Sequence, residues 1–274
     1  MTESENTWLL DTAVDGPAEA PTIVLGHSLG SSLTMWDEVV PLLSSDFQVV
    51  RYNLPGHGGA AVAPLDRPCT MADILAALAR TLQHLGVVDF HLAGLSFGGA
   101  TALAAGIAHA AGDPDYHNLK SISVMSSGPV NAPLDQWSQK IATVRSSGTE
   151  SLVDATFERW FSDNAAITHP EMVRKIREAF LECDDAGYAQ ICEVLGSTDL
   201  SNEVSSISVP TLLISAEHDG GLPWDKADEL ALKIAENSTP VRITKLAGVK
   251  HMSAVERPSE VAEALRGQVT AAMA

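Results

Sequence analysis

The sequence predicts an α/β fold, a mostly parallel sheet flanked by helices, carrying one helical insertion. Three observations lead there. Short apolar runs alternate with longer helical patterns over most of the 274 residues, the sign of strands joined by crossover helices. The alternation lapses between residues 130 and 203 and resumes at "VPTLLIS". Two apolar runs end in G-x-S-x-G, "GHSLG" at 26–30 and "GLSFG" at 94–98, a pattern that suits a sharp turn between a strand and the next element. Residues 1–129 and 204–274 are therefore expected to form the α/β core and 130–203 a helical cap.

Taken in order, strands are expected near 7–13, 22–26, 47–52, 88–93, 119–125, 210–215 and 241–245, and helices near 33–43, 70–85, 98–111, 223–236 and 258–272. The helix at 70–85 opens with Thr70 and Asp73 in capping-box spacing and stops at Gly86, a residue free to take positive φ. Within 130–203, "ESLVDATFERWF" and "PEMVRKIREAFLE" have helical periodicity and no convincing strand is seen. Insertions of this kind tend to lie over the strand ends where ligands bind.

Composition narrows the function. Hydrophobic residues make up 45% of the chain, yet no apolar run is long enough to cross a bilayer. The start, "MTESENT", lacks the basic-then-apolar order of a secretory signal, so a cytoplasmic protein is expected. Cys69, Cys183 and Cys192 are odd in number and lack C-x-x-C spacing, which argues against a disulfide framework or zinc site and suits a reducing compartment. With 17 basic against 35 acidic residues the formal charge is −18. Such a field repels phosphate backbones and anionic lipids, so neither nucleic acid nor membrane is expected as a partner, and an anionic small ligand would need local cations. Homo-oligomerisation is left open.

The two serine turns are not equivalent. "VVDFHLAGLSFGGATALAAGIAHA" has a strand, flanking Gly94 and Gly98, then an alanine-rich helix starting at once. Ser96 would sit at the N-terminus of that helix, where free N–H groups and the helix dipole favour developing negative charge. In "PTIVLGHSLGSSLTMW" the serine is followed by a Gly/Ser loop. That loop is better suited to donating a backbone N–H to an oxyanion, the second coming from the residue after the nucleophile. The oxyanion hole is accordingly assigned to Leu29 and Phe97, with Ser28 a polar residue beside the site and His27 and His57 structural members of their turns.

A serine hydroxyl needs a base, and the base needs an acid to fix its tautomer. Asp219 follows the run "VPTLLISAEHDGG" and His251 follows "VRITKLAGVKHMS", each in a loop at a strand's C-terminal end, in the order Ser…Asp…His. The loop after 119–125 reads "SSGPVNAP" and holds no carboxylate. His27, His57, His218 and Asp219 lack metal-ligand spacing, and the glycine-rich turns contain neither G-x-G-x-x-G nor a P-loop lysine. No cofactor or metal is expected.

On these motifs the chain resembles the α/β-hydrolase superfamily, and within it the 3-oxoadipate enol-lactonases of aromatic catabolism. "LGHSLGSSLTMWDEVVPLL", "FQVVRYNLPGHG" and "HLAGLSFGG" are similar to the family's oxyanion, sheet and elbow segments. In the cap, "WSQKIATVRSSG", "VDATFERWFS" and "GYAQICEVLGSTDLS" look like its lid pattern. There are departures: "NLPGHG" stands where the family usually has Asp-x-Arg-Gly-His-Gly, and "AEHDGGLPW" replaces the commoner Gly-x-x-Asp-x-x-x-Pro form.

The resemblance implies a serine-dependent hydrolase opening a small carboxylate-bearing enol-lactone, 3-oxoadipate enol-lactone to 3-oxoadipate, through an acyl-enzyme. Ser96 would be nucleophile, Asp219 acid and His251 base. The substrate is a small ester or lactone. For its carboxylate the cap offers Arg145, Arg159, Arg174 and Arg177, of which Arg145 is preferred, while Trp137 and Trp160 are expected to wall the pocket beside Ser28. The same triad would also serve a general carboxylesterase, a carbon–carbon bond hydrolase or a cofactor-free haloperoxidase. A non-catalytic ligand-binding module on this fold is the reading from another class.

Overall fold

The computed structural model describes residues 8–130 and 133–274. Strands β1 (Thr12–Asp15), β2 (Thr22–Gly26), β3 (Gln48–Tyr52), β4 (Phe90–Leu95), β5 (Leu119–Met125), β6 (Thr211–Ala216) and β7 (Val241–Leu246) form one sheet in the order β1-β3-β2-β4-β5-β6-β7. Only β1 runs antiparallel to its neighbour; every other pair is parallel. Strands β2, β4 and β6 are buried at every position, as strands covered by helices on both faces must be, which is why they read as continuous apolar runs.

The core helices are α1 (Val40–Leu43), α2 (Met71–His84) and α3 (Phe97–Ala110), followed after β6 by α9 (Trp224–Ala235), α10 (Ser253–Glu256) and α11 (Pro258–Met273). Helix α2 starts with the expected capping box: Thr70 accepts from the Asp73 N–H while the Asp73 carboxylate accepts from the Thr70 N–H. Helix α3 packs on β4 and β5, and α11 on β5 and β6. Between β5 and β6 run α4 (Leu134–Ser147), α5 (Val153–Trp160), α6 (Ala165–Thr168), α7 (Pro170–Leu181) and α8 (Asp185–Ser197). No strand occurs in that stretch among the described residues. No helix among the described residues is long and apolar enough to cross a membrane.

Three elements differ from expectation. The strand expected at 7–13 is β1, shifted to Thr12–Asp15 and paired with Tyr52–Val49; residue 7 lies outside the described residues. The apolar Trp8–Leu10 is used for packing instead: Leu10 N–H donates to Thr81 Oγ1 and Trp8 C=O accepts from Arg80, both on α2. The helix expected at 33–43 is a 3-10 turn, Leu33–Trp36, and the short α1. A continuous helix would need an N–H from Pro41, which has none. Strand β4 runs to Leu95, two residues beyond its expected end, because it stays paired with β5 up to Leu95↔Met125.

The order of strands places the site. From β2 the chain passes to β3 on one side, then returns to β4 on the other, so the loops leaving β2 and β4 diverge at their carboxyl ends, the position at which open α/β sheets bind ligands. Gly26 lies opposite Gly94 at those ends, which brings both G-x-S-x-G turns together.

Candidate active site

Ser96 closes β4 with φ 58 and ψ −109, a conformation that L-residues adopt only when their surroundings force it. The two flanking glycines permit the turn. A Cβ on Gly94 would lie 2.2 Å from the Gly98 carbonyl carbon, and one on Gly98 would lie 2.2 Å from the Gly26 oxygen. Ser96 N–H donates to Met125 O at 2.8 Å and Gly98 N–H to His27 O at 3.1 Å, so the elbow is tied to β5 on one side and to the 26–30 loop on the other. Ser96 is the N-cap residue of α3, and its side chain makes no capping hydrogen bond.

Leu29 and Phe97 are both buried, and neither backbone N–H has an acceptor among the described residues. Buried N–H groups without partners are uncommon; here two of them lie in the two turns that meet at Ser96. The loop carrying Leu29 is held by two buried histidines. His27 donates from Nδ1 to Ser28 O and accepts the Leu54 N–H at Nε2, 2.9 Å. His57 donates from Nδ1 to Pro55 O and accepts the Gly30 N–H at Nε2, 3.0 Å. Burial lowers the pKa of His27 to about 3, assisted by His57, and that of His57 to about 4, so both are neutral struts with one donor and one acceptor each. Gly30, at φ +80, lies against the rings of Phe180 and Tyr188, where a Cβ would come within 2.5 Å of Phe180.

His251 Nδ1 and Asp219 Oδ1 are 2.8 Å apart, with Asp219 buried. Burial alone would raise the Asp219 carboxyl, but the His251 charge, its hydrogen bond and the N–H groups of Gly221 and Leu222 hold it at about 2. An ionised Asp219 accepts from His251 Nδ1 and so holds the ring in one orientation. Nε2 makes no hydrogen bond among the described residues. The histidine loop is joined to the elbow through Ser126, which follows Met125 at φ 50 and donates from Oγ to His251 O at 2.9 Å.

Of the expected substrate residues, Trp160 joins this group: its ring stacks on His251, with centroids 6.3 Å apart and planes at 19°. Ser28 is fully buried and its hydroxyl points at Met252 Sδ, 3.9 Å away, so it braces the loop beside His251. Trp137 is buried on α4 beneath the ammonium of Lys140, 4.7 Å from the ring centroid. Arg145 does not join them. Its side chain is 65% exposed and its guanidinium is engaged by Glu193 at 2.6 Å, so the preference for it as the carboxylate-binding residue is corrected: a solvent-facing arginine already holding a carboxylate has little to offer a second.

Sequence reasoning missed three residues. Ser126 lies in a loop scanned only for a carboxylate. Glu256 is buried and accepts the Ser162 N–H and hydroxyl and the Lys250 N–H, joining α5's end to the histidine loop; nothing in "VERPSE" marks it. Lys140 stands three residues after Trp137, so the pair share a helix face, a spacing that could have been noticed. Among the described residues no three His, Cys, Asp or Glu side chains converge where a metal ion could sit.

A serine in a strained turn between a strand and a helix, and a carboxylate-held imidazole, on a mostly parallel sheet are the features by which an alpha/beta hydrolase fold is recognised. The sequence pattern of the alpha/beta hydrolase family matches residues 23–264, and the chain belongs to that family. It is 30% identical over 260 residues to 3-oxoadipate enol-lactonase 1 of Acinetobacter baylyi, covering 95% of this chain and 92% of the relative. To 3-oxoadipate enol-lactonase 2 of the same organism it is 26% identical, covering 77% of this chain and 76% of the relative. The crystal structure of the enol-lactonase from Burkholderia xenovorans LB400 superposes with a TM-score of 0.85 at 30% identity, covering 95% of this chain and 96% of that one. The protein is an enzyme of the carboxylic ester hydrolase class.

Proposed function

We propose that the protein opens a small carboxylate-bearing enol-lactone, in the manner of 3-oxoadipate enol-lactone to 3-oxoadipate, through an acyl-enzyme on Ser96. The observation that supports this is the 2.8 Å contact between His251 Nδ1 and Asp219 Oδ1, which leaves Nε2 to serve as the base for a serine held in a strained turn. Ser96 Oγ attacks the lactone carbonyl carbon and Nε2 takes its proton. The N–H groups of Leu29 and Phe97 stabilise the oxyanion, a term worth about 100- to 1000-fold in turnover per donor where one has been removed. The ring C–O bond breaks, the enol oxygen receives the proton from His251, and tautomerisation to the ketone removes the nucleophile that could close the ring again. Water activated by His251 then releases the product. In this reading residues 130–203 are the cap over the site and Trp160 walls it. The names and near-complete coverage of the enol-lactonase relatives support the substrate class.

The test is a substrate panel. Wild-type enzyme is expected to prefer muconate-derived enol-lactones to neutral aryl esters, to be trapped at Ser96 by a fluorophosphonate, and to lose turnover in Ser96→Ala. A strong preference for neutral esters would replace the lactone by a general ester, and Ser96→Ala opening lactones at the normal rate would remove the mechanism.

A further inference from the structure

Positive φ is uncommon outside glycine, and among the described residues it occurs at Ser96, Ser126 and Ser238. Ser96 owes it to the turn between β4 and α3. Ser238 is exposed in the turn after α9, where its N–H donates to Ala235 O and where helices commonly end in a left-handed residue. Ser126 has neither setting: at φ 50 it directly follows β5 and is only 1% exposed. A strained residue persists only where its surroundings hold it, so the contacts of Ser126 bear on why it is there.

Those contacts reach the three segments that carry Ser96, Asp219 and His251. The residue before it, Met125, accepts the Ser96 N–H at 2.8 Å, and Ser126 N–H itself donates to Ile214 O on β6 at 3.3 Å. Its carbonyl is so close to the Asp219 loop that a Cβ on Gly221 would lie 2.7 Å from the oxygen, and Gly221 N–H donates to Asp219 Oδ1 at 3.0 Å. Ser126 Oγ donates to His251 O at 2.9 Å. This last bond spans the widest gap. Strand β7, which leads to His251, stands two places from β5, about 10 Å at ordinary strand spacing, so the loop after it turns back over the end of β6 to meet the hydroxyl. On the other side a Cβ on Gly99, in the first turn of α3, would lie 2.6 Å from the Ser127 Cβ, which leaves residues 125–127 little room to shift towards the elbow.

We propose that Ser126 is a positioning residue of the hydrolase: its hydroxyl, presented from a buried left-handed turn, fixes the backbone of His251 relative to the elbow that carries Ser96. This rests on the reading of Ser96 as nucleophile and His251 as base. The division of labour follows from the partners. Asp219 and Trp160 act on the imidazole ring and set its orientation, whereas Ser126 holds the main chain from which the ring hangs. A displacement of about 1 Å between reacting groups can cost about 100-fold in rate, so the loss of this bond is read in turnover and not in substrate binding.

The test uses Ser126→Ala and Ser126→Gly, assayed on 4-nitrophenyl acetate and on a muconate-derived enol-lactone. Both variants lack the hydroxyl, and glycine in addition accepts positive φ without steric cost. Each is expected to lower kcat by about tenfold with KM within about twofold of wild type, while Ser126→Gly keeps the wild-type unfolding temperature. Activity and stability then part company, which a serine needed only for folding would not produce. A kcat near wild type in Ser126→Gly, a loss carried entirely by KM, or a kcat that falls only together with the unfolding temperature would overturn the proposal. If wild type turns over neither substrate, the reading of Ser96 fails on its own account, and amide hydrogen exchange decides instead. Residues 249–253 should exchange about tenfold faster in Ser126→Gly than in wild type, and unchanged exchange there would overturn the tether.

Discussion

The indole of Trp160 lies nearly parallel to the imidazole of His251, their planes 19° apart, while the Trp160 carbonyl accepts the Met252 N–H at 3.0 Å. One residue of α5 therefore sets both the face against which the His251 imidazole rests and the backbone of the loop that carries it. Trp160→Ala is expected to lower stability by about 3 kcal/mol or more, as deletion of a buried aromatic does, and to reduce kcat/KM by about tenfold. Trp160→Phe, which keeps a ring and the backbone bond, should retain most of both. Urea titrations and steady-state kinetics on the two variants check this; an alanine variant with wild-type kcat/KM would separate Trp160 from the site.

Glu256 fastens the other side of that junction. Its carboxylate is buried and takes hydrogen bonds from Ser162, at the end of α5, and from Lys250, next to His251. Hydrogen bonds to charged groups contribute about 1.5–3 kcal/mol. Glu256→Gln keeps the shape but loses the charge and turns one oxygen into a donor facing donors, so a stability loss of about 2 kcal/mol is expected, together with faster proteolysis within residues 130–203. Thermal unfolding and limited proteolysis measure the two effects, and unchanged values for both would show that the tie has no mechanical role.

The two buried histidines predict a specific acid sensitivity. His27 and His57 have folded pKa values of about 3 and about 4, below the ordinary value near 6.5 that the unfolded chain would show. The unfolded state therefore binds protons that the folded state refuses, so their contribution is complete above about pH 6.5 and declines as pH falls towards 4. At about 1.4 kcal/mol per unit for each, the two lower stability by about 4 kcal/mol between pH 7 and pH 5. Asp219 acts in the same sense but at lower pH: held at about 2, it stabilises fully above about pH 4 and loses that only as pH falls below it, outside this window. Urea midpoints from pH 7.5 to pH 5 give the slope, and a flat profile would mean that one or both imidazoles titrate normally in the fold.

At the elbow the limits are steric. Gly98→Ala would place a methyl 2.2 Å from the Gly26 oxygen, whereas a Cβ on Gly220 meets nothing within 4 Å. Backbone cannot move aside as a flexible side chain can, so Gly98→Ala should cost about 3 kcal/mol or prevent folding, and Gly220→Ala should stay within about 0.5 kcal/mol. Soluble yield and urea denaturation of the pair make the comparison, and a stable Gly98→Ala enzyme would show that the elbow is looser than its geometry requires.

Much of the architecture could be read from residue order because the relevant physics is local or periodic. Fully buried strands are continuous apolar runs, Thr70 and Asp73 cap their own helix, and Gly94 and Gly98 announce a turn too tight for side chains. The same locality explains the misreadings. Trp8–Leu10 looks like strand because packing on α2 and pairing in a sheet ask for the same apolar residues, and 33–43 looks like one helix until the missing N–H of Pro41 is counted.

The sequence by itself determined that the chain is an α/β protein with a serine at a constrained turn and an aspartate and a histidine at later strand ends, since these follow from patterns within a few residues. Only the tertiary structure decided which charges are already spent. Arg145 and Lys140 look alike in sequence; one is neutralised by Glu193 from another helix and the other is not. Ion pairing and burial depend on residues tens of positions apart, so no local pattern records which cation is already paired.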